Sequence, residues 1–128
     1  MITPFKLSCQ SCGLSLEEAA SFLKVRPEMA AAWWNGTEPT IDGILSDLHE
    51  LYKSIDFAAE TILDAMRDEA DKTNEWPNEI RIEVAVNDQE AKKLGWPCVA
   101  AHAAVGRRLL EKMETAAIGH VLIVPVPK

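Results

Sequence analysis

The chain has 128 residues, 48% of them hydrophobic, with 13 Lys+Arg against 20 Asp+Glu and a net charge of −7. That length fits one domain, or a small N-terminal module with an appended half, and the composition suits a globular chain with a sizeable core. No apolar run reaches the length of a membrane span, the N-terminus lacks a secretory leader's apolar stretch, and an odd number of Cys argues against a closed disulfide framework. The expected setting is therefore the reducing cytoplasm, with no membrane partner.

Thr3-Pro4 reads as an N-cap and first helical position, so a helix is predicted from Pro4 to Cys12, ended by Gly13. Phe5, Cys9 and Cys12 recur at helical spacing and should pack on the helices that follow. Ser15 to Pro39 then reads as two short helices, Leu16–Lys24 and Pro27–Asn35, joined by a tight turn. Ser15 with Glu18 has capping-box spacing, in which each side chain satisfies an orphan backbone N–H. Leu23, Val25, Ala30 and Trp33 are expected to be buried together, and Asn35-Gly36 is a helix stop because Gly takes the left-handed conformation without a Cβ penalty.

After Pro39, Thr40 is placed to cap a long helix running from Ile41 to about Lys72. Its apolar residues fall seven apart: Ile41, Leu48, Ile55 and Ile62; Ile44, Leu51, Ala58 and Ala65; Leu45, Tyr52, Ala59 and Met66. This stripe suits either an intramolecular core face or a dimer seam. Ser54-Ile55-Asp56 is the one place where the helix would break, since Asp56 can act as a new cap. The Glu75-Trp76-Pro77 stretch marks the helix's far boundary.

Ile80 to Val86 alternates apolar and polar residues and reads as a strand. Asn87-Asp88 caps a short helix from Gln89 to Leu94, stopped by Gly95. Pro97 opens a longer helix to Ala117, ended by Gly119, and His120 to Val126 is a second strand. Strand, helices, strand over this length permits a crossover to a parallel pair. Two strands alone are marginal, so the helices must cover them or a partner's strands extend them.

The two short helices resemble the repressor-type helix-turn-helix of the phage lambda repressor and Cro class. Ala20 stands at the small residue where that family's helices touch, Val25 at the turn hydrophobe, Ala30 at the inward aliphatic, Trp33 at the bulky core residue, and Gly36 with Pro39 at the closing turn. The wider chain is similar to the YdiL-like regulators, which add a long helix and a C-terminal part with a Gly-Trp before a helix; here that pair is Gly95-Trp96. The resemblance implies a mainly α fold with a small two-stranded C-terminal part. It implies a helix-turn-helix domain over residues 1–56, and over 57–128 a continuation of the long helix with a small α/β part used in dimerisation. It also implies a sequence-specific DNA-binding transcriptional regulator, a dimeric repressor with no cofactor, whose interface is Ser15, Arg26, Glu28, Met29, Ala31, Ala32, Asn35 and Thr37.

The side chains on that interface depart from the family's polar and basic pattern. Leu16 begins the first helix, and Glu28, Ala31, Ala32 and Asn35 form the outward face of the second, with no Lys or Arg inside it. Glu28 can accept from a cytosine amino group and Ala can touch a thymine methyl, but phosphate attraction needs cations. Residues 1–56 carry four cations (Lys6, Lys24, Arg26, Lys53) against eight carboxylates, net −4. Arg26, at the turn, is best placed for a phosphate. The alternative function is a protein-interaction module on the same scaffold, with Trp34 as an outward contact.

Two clusters invite sharper readings. Cys9 and Cys12 form C-x-x-C, and Cys98 with His102 is an i, i+4 pair, together the donor set of a Cys₃His zinc site. Helical Cys more commonly serve as small core hydrophobes, and no metal is expected. Arg107, Arg108 and Lys112 form a small cationic face expected to pair with Glu111 and Glu114 in solvent. No nucleophile elbow, zinc-protease motif or phosphate loop is present, so no enzyme is expected.

Overall fold

A computed structural model describes residues 2–75, 79–113 and 120–127. The chain divides into two compact units, Met1–Ser54 and Ile55–Lys128. In chain order the elements are α1 (Pro4–Ser11), α2 (Leu16–Leu23), α3 (Pro27–Asn35), α4 (Ile44–Thr73), β1 (Glu79–Val84), α5 (Asp88–Lys93), α6 (Val99–Met113) and β2 (His120–Pro125). The fold is thus mainly helical with a small two-stranded sheet. Among the described residues no helix is long and apolar enough to cross a membrane.

The first unit packs α1, α2, α3 and the opening turns of α4. Each short helix begins where its sequence dictates, while α1 and α2 each end one residue early. Thr3 caps α1 by accepting the Lys6 N–H, and Cys12 is its C-cap. The Ser15–Glu18 capping box opens α2, with bonds of 3.1 and 2.9 Å. Gly36, at φ 81°, closes α3. The core is Phe5, Cys9, Cys12, Ala19, Ala30, Trp33 and Leu48, none more than 1% exposed. Phe5 meets the Trp33 ring edge-on at 5.4 Å, a geometry that contributes about 0.5–1.5 kcal/mol beyond burial.

Two expectations are corrected in this unit. Leu23 and Val25 are half-buried and do not join Ala30 and Trp33 in the core. Lys24 turns left-handed at φ 58°, so α2 stops at Leu23, whose side chain lines an open cleft with Phe22 and Leu51. The long helix starts at Ile44, not at Ile41 behind a Thr40 cap. Ile41, Asp42 and Gly43 form a turn in which the Ile44 N–H meets the Ile41 carbonyl at 3.2 Å. Gly43 there has φ 95°, a backbone region that disfavours side chains. Ile41 is 58% exposed, so no burial draws it into helix.

The second unit holds α4 from Ile55 onward, both strands, α5 and α6. The helix continues through Ser54-Ile55-Asp56 without a break. Asp56 does not cap: its carboxylate is taken by Arg108 and Lys112. In this unit Ile55, Ala59 and Leu63 are buried, whereas Ile62 is 39% exposed. β1 and β2 pair in parallel, with Ile82 opposite Ile123, joined by the crossover through α5 and α6. α6 lies directly on β1: a Cβ at Gly106 would come 3.2 Å from Ile82 Cγ2.

Pro97 does not open α6. Pro97 and Cys98 form a bend, and the helix begins at Val99, whose N–H donates to Asp88 Oδ1 at 2.9 Å. A side chain from α5 therefore caps α6, a long-range contact invisible to local sequence signals. The expected end of that helix near Ala117, the stop at Gly119, Glu114 and the Trp76-Pro77 boundary lie outside the described residues.

Candidate nucleic-acid interface

The face in question is built by α2, the Lys24–Arg26 link and α3. The link folds tightly because the Val25 N–H reaches the Ala20 carbonyl at 3.1 Å, and Pro27 starts α3 where its missing N–H costs nothing. Small residues bring the helices together: Ala19, Ala20 and Ala30 are buried. At the far end of α3, Thr3 links two helix termini with one hydroxyl. It accepts the Lys6 N–H and donates to the Trp34 carbonyl, both at 3.1 Å.

The residues assigned to the interface fall into four groups. Arg26, Glu28 and Met29 crowd the first turn of α3 and are exposed, Met29 by 43%. Asn35 and Thr37 are exposed at its end, where the Thr37 N–H closes on the Ala32 carbonyl at 2.9 Å. Ala31 and Ala32 are half-buried. Ser15 is exposed, but its hydroxyl already accepts the Glu18 N–H in the capping box. Six of the eight residues are thus exposed, and Ala31 and Ala32 are half-buried.

The electrostatics are sparse. Arg26 makes no side-chain cap bond to α3. Lys6 lies 5.7 Å from the centre of the Trp34 ring, a cation–π contact that holds the cation over the indole. Trp34 itself is half-buried against Phe5, with ring centres 6.4 Å apart, and so is covered by α1 rather than free for a partner. Lys24 shares an open cleft of about 510 Å³ with Asp47 and Glu50 of α4. Lys53 is paired to Glu50 at 3.2 Å.

The cysteines have structural roles. Cys9 and Cys12 are fully buried, and the Cys12 thiol donates to the Leu48 carbonyl at 3.3 Å. Burial pushes Cys9 up to about 12, with a further push from Cys12, and Cys12 up to about 11. Neither thiol is ionised to a nucleophilic thiolate at neutral pH. His102 Nδ1 is occupied by the Ala85 N–H at 3.0 Å. No group of three or more His, Cys, Asp and Glu among the described residues is arranged to hold a metal ion.

The cationic face of α6 keeps the expected pairing with Glu111 and adds two carboxylates of α4. Arg108 donates to Asp56 Oδ1 at 2.7 Å and to Glu111 at 2.9 Å, while Lys112 reaches Glu60 at 2.8 Å and Asp56 at 3.1 Å. The Lys112 side chain is only 16% exposed. Sequence reasoning missed Asp56 and Glu60, although a signal existed. Two acids four apart on one helix match two cations four apart on another. The Asp88 cap and the Ala85–His102 bond left no such signal. No family model matches the chain, and no curated protein is found to match it.

Proposed function

We propose that this chain is a DNA-binding transcriptional regulator of the repressor helix-turn-helix type, acting as a homodimer on a two-fold operator. The observation that carries this reading is the α2–link–α3 unit: two short helices, tightly joined, with the first turn of the second presenting Arg26, Glu28 and Met29 to solvent. In this reading Arg26 anchors a phosphate, Glu28 and Asn35 face base edges, and Ala31 and Ala32 allow close approach to the groove. Few cations mean modest affinity with strong salt sensitivity.

Binding to the chain's own upstream DNA, measured at low and at physiological salt, tests it. Arg26→Ala should weaken binding to all sequences alike and reduce the salt slope by about one. Glu28→Ala and Asn35→Ala should instead change which sequences are preferred, by about 1–3 kcal/mol at the affected base pair.

One observation favours a second reading, a protein-interaction module on the same scaffold. α3 contains no Lys or Arg, and Met29 is exposed beside Glu28. Converting Ala31 and Ala32 to Lys separates the two. Stronger nonspecific DNA binding supports a groove-facing helix. A double variant that binds DNA no better than the native chain removes α3 from the DNA interface and leaves the interaction module.

A further inference from the structure

In the second unit, one imidazole joins two elements. Ala85 follows β1 directly and is 3% exposed, and its N–H donates to His102 Nδ1 on α6 at 3.0 Å. A ring nitrogen accepts only when it carries no proton, so the ring stands as the neutral Nε2–H tautomer. Trp96 lies nearly parallel to the ring, 11° between planes with centres 6.0 Å apart, and limits its freedom to turn. Three residues beyond Ala85, Asp88 caps the start of α6 through the Val99 N–H.

We propose that His102 is a pH-sensitive latch: the neutral ring fastens the end of β1 to α6, and protonation in mild acid unfastens it. The next proton can enter only at Nδ1, the atom that accepts the Ala85 N–H. Two N–H groups would then face each other, and a buried amide would lose its acceptor, a costly arrangement. The released segment leads straight to Asp88, so loosening at Ala85 reaches the cap of α6.

The surroundings set the direction. From α5, Glu90 favours the charged ring; from β1, Arg81 and Glu83 line the same cleft of about 420 Å³, while α4 and α6 contribute Ile62 and Leu109 to it. Burial opposes the charge and outweighs Glu90, holding His102 below the ordinary value of 6.5. A group protonated more easily unfolded than folded stabilises the fold fully above that ordinary value. Its contribution falls as pH drops toward the lowered folded value, and the loss then levels off. The latch is thus closed at neutral pH and opens below it. It does not depend on how α3 is used.

The test is an NMR titration of the isotope-labelled full chain. The latch requires His102 as the Nε2–H tautomer at neutral pH, a titration below 6.5, and an Ala85 amide signal that moves with the ring's titration. An Nδ1–H tautomer overturns it, as does an Ala85 amide that stays still while His102 titrates. A second measurement compares thermal stability across the same pH range in His102→Gln, whose amide oxygen accepts without titrating. Loss of the mild-acid destabilisation in that variant supports the latch; an unchanged slope overturns it. Should His102→Gln fail to fold, the titration of the native chain decides alone.

Discussion

At the residue scale, Trp33 is the anchor of the first unit. It is 1% exposed, yet its Nε1–H finds no hydrogen-bond partner among the described residues. Its contribution is therefore packing, reinforced by the edge contact with Phe5. Trp33→Ala should cost about 3–5 kcal/mol of stability. Trp33→Phe should cost clearly less, because it removes a buried donor that gains nothing from its surroundings. Urea denaturation of the two variants checks the order, and equal losses would contradict the packing account. Ser15→Ala should cost about 1 kcal/mol by removing one side of the capping box. That loss is independent of any DNA contact, so a Ser15 variant must be judged on stability before its binding is interpreted.

Between elements, two contacts define the second unit. Gly106 lets α6 rest on β1, with Ile82 already at the limit of what a Cβ would tolerate. Gly106→Val should destabilise by about 1–3 kcal/mol through overpacking, visible as a lower melting temperature. The other contact is the α4–α6 ion cluster. Arg108 first, then Lys112, holds Asp56 below its usual carboxylate range, and Lys112 does the same for Glu60. Groups with lowered folded values stabilise the protein above their ordinary values of 3.8 and 4.5; that stability fades as pH falls through the lowered ones. Asp56→Asn with Glu60→Gln should therefore flatten the acid limb of a melting-temperature profile below about pH 5, without altering the mild-acid region assigned to His102. Elements of this kind mark how far the sequence could be read. Helix limits set by adjacent residues, such as the Ser15–Glu18 box, the Pro27 start and the Gly36 stop, were visible because the signal and its effect lie within one turn. The length of the crossover permitted the parallel pairing that the structure shows but did not separate it from pairing across a dimer. Ile44 as the start of α4 was not, because the helical periodicity of Ile41 concealed a left-handed Gly43. Val99 as the start of α6 was not, because its cap comes from Asp88. Of the candidate interface, the exposed first turn of α3 was legible from spacing; the cover that Phe5 and Lys6 of α1 give Trp34 was not, since it depends on how the helices pack.

On the scale of the whole molecule, the proposed homodimer has a direct measurement. Light scattering at micromolar concentration should return twice the 14.1 kDa chain mass, and a monomer there would count against two-fold operator binding. β2 leaves Leu122 and Ile123 37% and 57% exposed, one on each face of the strand. The buried thiols provide another handle. Cys9 and Cys12 belong to the first unit and Cys98 to the second, and all three are shielded in the folded chain. A maleimide can reach them only when the surrounding structure opens. Mass spectrometry of timed labelling would then follow the breathing of each unit separately, two sulfur clocks in one and a third in the other. The native cysteines thus serve as built-in reporters of which half of the protein lets go first.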